Sequence, residues 1–398
     1  MKPLASAPRV LYFCARLPSN IQNGLDLRIR GQMSALLEFC ELSVFALNGK
    51  GLRFDDRIDS WHSSENTDVA KTIDTTVGMA ALRNGGHPFA PRFSDQTAKE
   101  LSEEIRAFGP SHIIVSRIDL TVYLEVIKQW FEGVLILDLD ESAASTGPSI
   151  LKLLKNPGQA LIFRTLSERV KAIEQSVFAE FDHVWVSSEV EHRRVTTLTQ
   201  GKQGETPILS VVPNCVPVEL YFEGTDIPRQ ADTIVFPASF AYEPSVNAAR
   251  FLINELMPLL PEVKLKFLGS HIPAWMKEAS SAQITIEGPI ADMVPYLKEA
   301  SASVIPLRAG GGTRLKAIES LAAGLPIVST EFGVEGLGLV TDQDYLRAET
   351  AHEFAHQIRK ITCNPDLAER LSLNGQEIAR KRFSSGSLKV SLQALISY

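Results

Sequence analysis

The sequence predicts an α/β fold in two domains, and three observations carry that expectation. Short apolar runs rich in β-branched residues, such as 9–15 (RVLYFCA), 112–116 (HIIVS) and 303–307 (SVIPL), alternate with longer segments of helical apolar spacing. At 398 residues the chain is too long for one ordinary domain and suits two. Within 303–330, SVIPLRAGGGTRLKAIESLAAGLPIVST, a whole strand–loop–helix–strand unit can be read, its glycine-rich crossing at the carboxyl end of the first strand. That edge is where open α/β sheets bind ligands.

Composition narrows the function classes. Apolar residues at 44% and charged residues at 22% are ordinary for a globular protein with large cores. A net charge of −7 argues against a general polyanion-binding surface, so no nucleic-acid partner is expected and any anion site must be local. Cys14, Cys40, Cys215 and Cys363 show neither CxxC nor His-paired spacing and read as reduced thiols, not as a metal site or disulfide frame. No apolar run reaches the roughly 18 residues of a spanning helix. The opening stretch, MKPLASAPRVLYFCARLP, is interrupted by Arg16 and Pro18 and reads as a first strand, so the expected location is cytoplasmic.

The elements follow in order. Strand 9–15 leads through a polar loop, 16–24, into a helix over 26–39 carrying Leu27, Met33, Leu36 and Leu37, with Arg28 and Arg30 near its start. Strand 41–47 comes next. Residues 51–100 are polar and weakly periodic and point to no function. Then come a helix over 99–108, a strand over 112–116, a helix over 120–131 and a strand over 133–139. Asp138, Asp140 and Glu141 close that strand at its ligand-facing end. A long helical segment over 152–181 carries Lys152, Lys155, Arg164, Arg169 and Lys171 against Glu168, Glu174 and Glu180. Its mixed signs suit a solvated face, with peripheral contact at the inner face of a membrane as a second role. Strand 183–187, helix 189–198 and strand 209–213 complete a first domain, 1–213. A stretch rich in Pro, Asp and Gly, 214–232, reads as the linker. The second domain, 233–382, holds strand 233–237 and strand 264–268, which ends in Gly269. Strand 284–287 ends in Gly288-Pro289, with Asp292 capping the helix after it. Helical residues 351–382 and a terminal segment, 383–398, close the chain.

The unit at 303–330 carries the chemistry. Thr313 reads as an N-cap, and Leu315, Ile318, Leu321 and Ala322 form the apolar stripe of the helix after it. Arg314 and Lys316 lie at the helix start, where the dipole disfavours cations by roughly 0.3–1 kcal/mol each. An anion held at the glycines reverses that sign, because backbone N–H groups and both cations then point at it. Gly310, Gly311 and Gly312 leave room for its approach. Glu319, three residues after Lys316 on the same face, is placed to accept ribose or sugar hydroxyls. The competing reading is a Lys–Glu surface pair beside a tight turn.

GGGTRLKAIESLAAGLPIVST, with Gly333, Glu335 and Gly336 in EFGVEGL, resembles the donor-nucleotide motif of glycosyltransferase family 4, in the bacterial sugar-transferase branch with a GGxxxRLKxxEALAxGxPVVST pattern. The resemblance implies a GT-B fold, two Rossmann-like domains facing each other across a cleft, and a final helix crossing back to the first domain. It covers the second domain strongly and the first weakly. Of the family's two glutamates with seven residues between them, Glu319 fits the second, and the first falls on Gly311. The resemblance further implies that the loop containing Gly24, with Arg28 and Arg30, reaches towards the donor phosphates and the acceptor. Asp138-Leu139-Asp140-Glu141-Ser142 approximates an acidic D-x-D-S pattern, making Asp138 and Asp140 acceptor contacts or a base rather than metal ligands. Pro213-Asn214-Cys215-Val216 is similar to the VPNGVD boundary motif. Gly269 and Gly288 border the nucleotide. The loop 238–250, ASFAYEPSVNAAR, lacks until Arg250 the Arg and Lys that family members use on the diphosphate, and Arg314 and Lys316 are inferred to take over that charge.

The function implied is transfer of a sugar, of the hexosyltransferase type used in polysaccharide biosynthesis, from a UDP- or GDP-type nucleotide sugar to a glycan or lipid-linked acceptor. Retention of configuration and independence of metal and cofactor are implied with it. A GT-B sugar-nucleotide epimerase or phosphorylase, and a non-catalytic sugar-nucleotide-binding module, are the alternatives.

Overall fold

Among the described residues, the β-branched runs form thirteen strands in two all-parallel sheets, one in each compact unit of the computed structural model. The structure describes residues 7–17, 24–48, 55–63, 93–200, 206–222, 227–290 and 292–397.

The first unit comprises Met1–Pro148, Asn156–Pro213 and Leu388–Tyr398. Its strands are β1 (Arg9–Arg16), β2 (Glu41–Asn48), β3 (Ser60–Ser63), β4 (His112–Ser116), β5 (Val134–Asp140), β6 (His183–Val186) and β7 (Ile208–Val211). They lie in the order β3-β2-β1-β4-β5-β6-β7. Tyr12, Phe13, Phe45, Ile114 and Leu137 are fully buried, as expected of parallel strands covered on both faces. Phe13 packs edge-on against Phe45 and Tyr123, at 5.8 and 5.9 Å between ring centres.

The second unit comprises Ser149–Lys155 and Asn214–Ser387. Its strands are β8 (Gln230–Ser239), β9 (Lys264–Ser270), β10 (Ile284–Glu287), β11 (Ala300–Ile305), β12 (Ile327–Ser329) and β13 (Leu346–Arg347), in the order β10-β9-β8-β11-β12-β13. Both sheets follow the doubly wound order in which consecutive strands run outwards from one strand and then resume on its other side. The reversal falls between β1 and β4 in the first unit and between β8 and β11 in the second. A ligand crevice is expected at each reversal, beyond the carboxyl ends of the strands.

Local chemistry corrects several expected boundaries. The single helix expected over 152–181 starts later, and two helices flank a turn at 152–156: Ala143–Leu151, which ends before the expected range, and Pro157–Phe178 within it. The Asn156 side chain accepts from Gly158 N–H and Gln159 N–H, and Pro157 opens the second helix without needing a donor. Asn364 and Pro365 divide 351–382 in the same way, into Ala351–Thr362 and Pro365–Arg382. The expected linker contains a helix, Val218–Phe222, and the start of β8, and it groups with the second unit, residues 223–226 lying outside the described ones. Within 383–398 the helix spans Ser385–Ile396, and the grouping changes to the first unit at Leu388. The silent stretch 51–100 contains β3 and the start of a helix, Asp95–Phe108, while 64–92 lie outside the described residues, as do 18–23 of the first loop.

Candidate functional site

In the second unit the crevice is bordered by the segment after β8, Phe240-Ala241-Tyr242, and the glycine loop after β11. The loop is held from within. Arg314 is buried, donates to Gly311 O at 2.6 Å and Phe332 O at 3.2 Å, and lies over the Phe332 ring at 4.5 Å. Its guanidinium also reaches Glu335, at 3.8 Å. This corrects the expectation that Arg314 points at an anion. The carbonyls of a tight loop need donors, and Arg314 supplies them. The amides differ from expectation as well: Gly310 N–H donates to Ser149 Oγ at 3.0 Å and Gly311 N–H to Tyr242 Oη at 3.1 Å. Thr313 is not the N-cap. The helix is Leu315–Ala322, with Arg314 in the cap position and Leu315 N–H bonded to Thr313 O at 2.9 Å.

Of the two cations expected to face an anion there, Lys316 remains. Its Nζ rests 4.5 Å above the ring of Phe236, a buried residue of β8. Burial, and then the nearby Arg314, bring its pKa down to about 7, with Glu319 opposing. Glu319 accepts from Tyr221 Oη at 3.2 Å, on the helix Val218–Phe222. Burial pushes the Glu319 carboxyl up to about 7, against the pull of the Tyr221 bond and of Lys316. A cation and a carboxylate that both titrate near neutrality thus flank one helix turn, a pattern that favours ligand sites over surface pairs.

Gly269 and Gly288, expected to border a nucleotide, make their close approach to neighbouring backbone. A Cβ on Gly269 would stand 1.7 Å from Ala238 O, and one on Gly288 would stand 1.7 Å from Gly269 O. Their missing side chains let the ends of β8, β9 and β10 stack into one floor.

The first unit arranges its charges differently. Arg28 is 1% exposed and Asp138 0%. Arg28 Nε lies 3.1 and 3.0 Å from the two Asp138 oxygens, a further guanidinium nitrogen pairs with the same carboxylate, and Nη1 donates to Val212 O at 2.9 Å. Burial pulls the Arg28 pKa down, but Asp138 overrides it and holds the guanidinium charged above its ordinary range. Arg28 as a phosphate contact and Asp138 as an acceptor contact or base are therefore corrected: each satisfies the other inside the core. Arg30 is half-buried on the helix Gly24–Leu36, which Gly24 opens.

Asp140 is the accessible acid. Its carboxylate is 20% exposed and lies 4.0 Å from Arg28, and its backbone is left-handed, φ 54°. Arg117, just after β4, is also left-handed, φ 80°, and pairs with Asp119 at 3.4 Å. Left-handed non-glycine residues cost about 1–2 kcal/mol and gather at functional edges. Arg117, Tyr221 and Tyr242 were not singled out from the sequence. Arg117 had one legible signal, a cation directly after a buried strand; the tyrosines had none. Among the described residues no three His, Cys, Asp or Glu side chains gather as a metal site. No described helix is long and apolar enough to cross a membrane.

Residues 231–364 match the family model described as glycosyl transferases group 1. No curated protein sequence matches the chain. Among solved structures the chain is similar to sucrose-phosphate synthase from Thermosynechococcus elongatus, with TM-score 0.72 and 14% identity over 98% of each chain. It is similar to HepE of Anabaena, solved in complex with UDP, with TM-score 0.67 and 12% identity over 98% of this chain and 99% of that one. A third similarity is to WaaG, a glycosyltransferase involved in lipopolysaccharide biosynthesis, with TM-score 0.65 and 12% identity over 97% and 99%. The two parallel-sheet, Rossmann-like domains are those of GT-B glycosyltransferase structures.

Proposed function

We propose that the chain transfers a sugar from a nucleoside diphosphate sugar to a hydroxyl of a glycan or lipid-linked acceptor. The observation that carries this reading is the meeting, at the β8/β11 reversal, of the clamped glycine loop, Lys316 and the Glu319–Tyr221 pair. The matched family model covers the glycine loop, Lys316 and Glu319, and HepE, of like fold, is known with UDP. Sugar transfer from a nucleotide builds negative charge on the departing diphosphate, and a fixed cation at that position lowers the barrier. Lys316 is that cation. Glu319, with one oxygen on Tyr221, offers the other to a ribose hydroxyl. Arg314 acts by holding the loop.

Retention of configuration follows from the family resemblance. Metal independence is supported by the donor set: in the Asp138-x-Asp140 pair, Asp138 has both oxygens on Arg28. The test is thermal shift against a panel of UDP-, GDP- and TDP-sugars, followed by release of the nucleoside diphosphate in the presence of EDTA. Stabilisation by none of the panel would overturn the reading. Loss of turnover on chelation, restored by Mn²⁺ or Mg²⁺, would overturn metal independence. Binding without turnover would leave the non-catalytic module.

A lipid-linked acceptor is favoured by the helix Pro157–Phe178. Leu161 and Ile162 are 65% and 50% exposed there, with the exposed cations Arg164 and Arg169 on the same helix. In a chain of net charge −7 this patch fits an anionic bilayer surface. Flotation with anionic but not neutral vesicles, lost in Leu161→Ser/Ile162→Ser, is the expected result; equal flotation with both would count against it.

A further inference from the structure

The segment after β8 carries no cation, yet it sends one polar side chain to the glycine loop. Tyr242 Oη accepts from Gly311 N–H at 3.1 Å. The phenol is fitted to this place. A Cβ on Gly310 would stand 2.5 Å from Oη and 3.2 Å from two ring carbons, and Gly310 adopts φ 119°, which a side chain would resist. The empty space at Gly310 therefore receives Tyr242. Gly311 is held from its carbonyl side by Arg314, at 2.6 Å, so the amide that meets the phenol is fixed. Tyr242 occupies the N-cap position of the helix Glu243–Phe251 without its side chain capping that helix.

We propose that Tyr242 is a diphosphate ligand of this site, donating its hydroxyl proton to a phosphoryl oxygen of the donor while its oxygen stays on Gly311 N–H. The inference rests on the nucleotide-sugar reading above and deepens it. A phenol hydroxyl donates one proton and accepts at two lone pairs, and its proton can turn to an arriving acceptor without breaking the amide bond. A phosphate oxygen only accepts, so the pairing has one direction. The amide then polarises the hydroxyl that faces the anion, a chain in which each hydrogen bond strengthens the next. The glycine loop in this arrangement acts on the diphosphate through Tyr242, and Gly310 serves the phenol.

The test uses the full chain, whichever of UDP and GDP the wild type binds more tightly, the matching nucleoside, and inorganic pyrophosphate. Tyr242→Phe keeps the ring and removes the donor. Loss of a hydrogen bond to a charged acceptor predicts about 10- to 100-fold weaker nucleotide and pyrophosphate binding, with nucleoside affinity and melting temperature little changed. Replacing Tyr242 by 3-fluorotyrosine, a better donor and poorer acceptor, should tighten nucleotide binding at mildly acidic pH. Nucleotide affinity that is unchanged or higher in Tyr242→Phe, or lower with the fluorinated residue, would overturn the inference, because the phenol would then be a stopper over the amide. A wild type that binds neither nucleotide nor pyrophosphate would overturn both this inference and the function it rests on.

Discussion

The two sheets reverse their strand order in the same way, yet the two reversals are furnished oppositely. At the carboxyl edge of the first unit the charges neutralise one another: Arg28 with Asp138, Arg16 with Asp26 at 2.8 Å, Arg117 with Asp119. At the edge of the second, hydroxyls meet amides, and Lys316 rests on an aromatic ring in place of a carboxylate. An ion pair already closed inside a core has no pull on a ligand, and breaking it costs the fold. A cation held on a ring, on the reading proposed above, still has its best partner to find. The same topology thus closes its charges on one another in one unit and, on the function proposed above, turns them to an anion in the other.

The largest expected effect tests the first half of this contrast. Arg28→Met leaves Asp138 buried and uncompensated and should cost about 3–5 kcal/mol in denaturant unfolding. Adding Asp138→Leu should recover much of that loss, because no charge then remains buried. An Arg28→Met protein that unfolds at the wild-type midpoint would break the comparison at once.

Lys316→Met tests the second half. It should weaken nucleoside diphosphate binding by about 10- to 100-fold, the worth of one charge-assisted contact, with stability unchanged or slightly raised. Calorimetric titration and a melting curve on the same sample separate the two effects. A drop in stability with intact affinity would make Lys316 a structural cation like Arg28.

A smaller effect is expected from pH. Lys316 must be protonated to attract a diphosphate, so affinity falls as pH rises through about 7. Glu319 must be ionised to accept ribose hydroxyls, so affinity rises as pH climbs towards about 7. Binding of a nucleotide sugar should therefore peak near neutrality, Glu319→Gln flattening the acid limb and Lys316→Met the alkaline one. The stability of the free protein follows the same two groups. The folded pKa of Lys316 lies below its unfolded value, so the stability that burial withholds returns as pH rises above about 7. The folded pKa of Glu319 lies above its unfolded value, so its contribution is lost as pH rises through about 7. A flat binding profile between mildly acidic and mildly alkaline pH would show that neither group meets the ligand.

The smallest effect belongs to Asp140. Asp140→Gly removes the left-handed strain and should stabilise by under about 1 kcal/mol, part of the relief being offset by the freer unfolded chain. Turnover should fall in that variant and in Asp140→Asn alike if the carboxylate touches the acceptor. Full activity in both would place Asp140 with Asp138 as a structural acid.

The sequence by itself determined the architecture and pointed to the segment on which the proposed site rests. Parallel strands buried on both faces must be near-continuous apolar runs, so 9–15, 112–116 and 303–307 stood out, and each lies in or overlaps a central strand. The glycine loop and the helix after it were legible because close chain turns and apolar stripes are local properties. Only the tertiary structure decided what each polar residue does there. Arg28 and Asp138 are 110 residues apart, Tyr242 and Gly311 are 69, and Tyr221 and Glu319 are 98. Nothing local to either partner records such a meeting. A cation near a helix start looks the same in sequence whether it faces an anion, as proposed for Lys316, or ties down its own loop, as Arg314 does. What separates them is which carbonyls, rings and carboxylates the fold brings within reach, and burial then settles which charges can be left without a ligand.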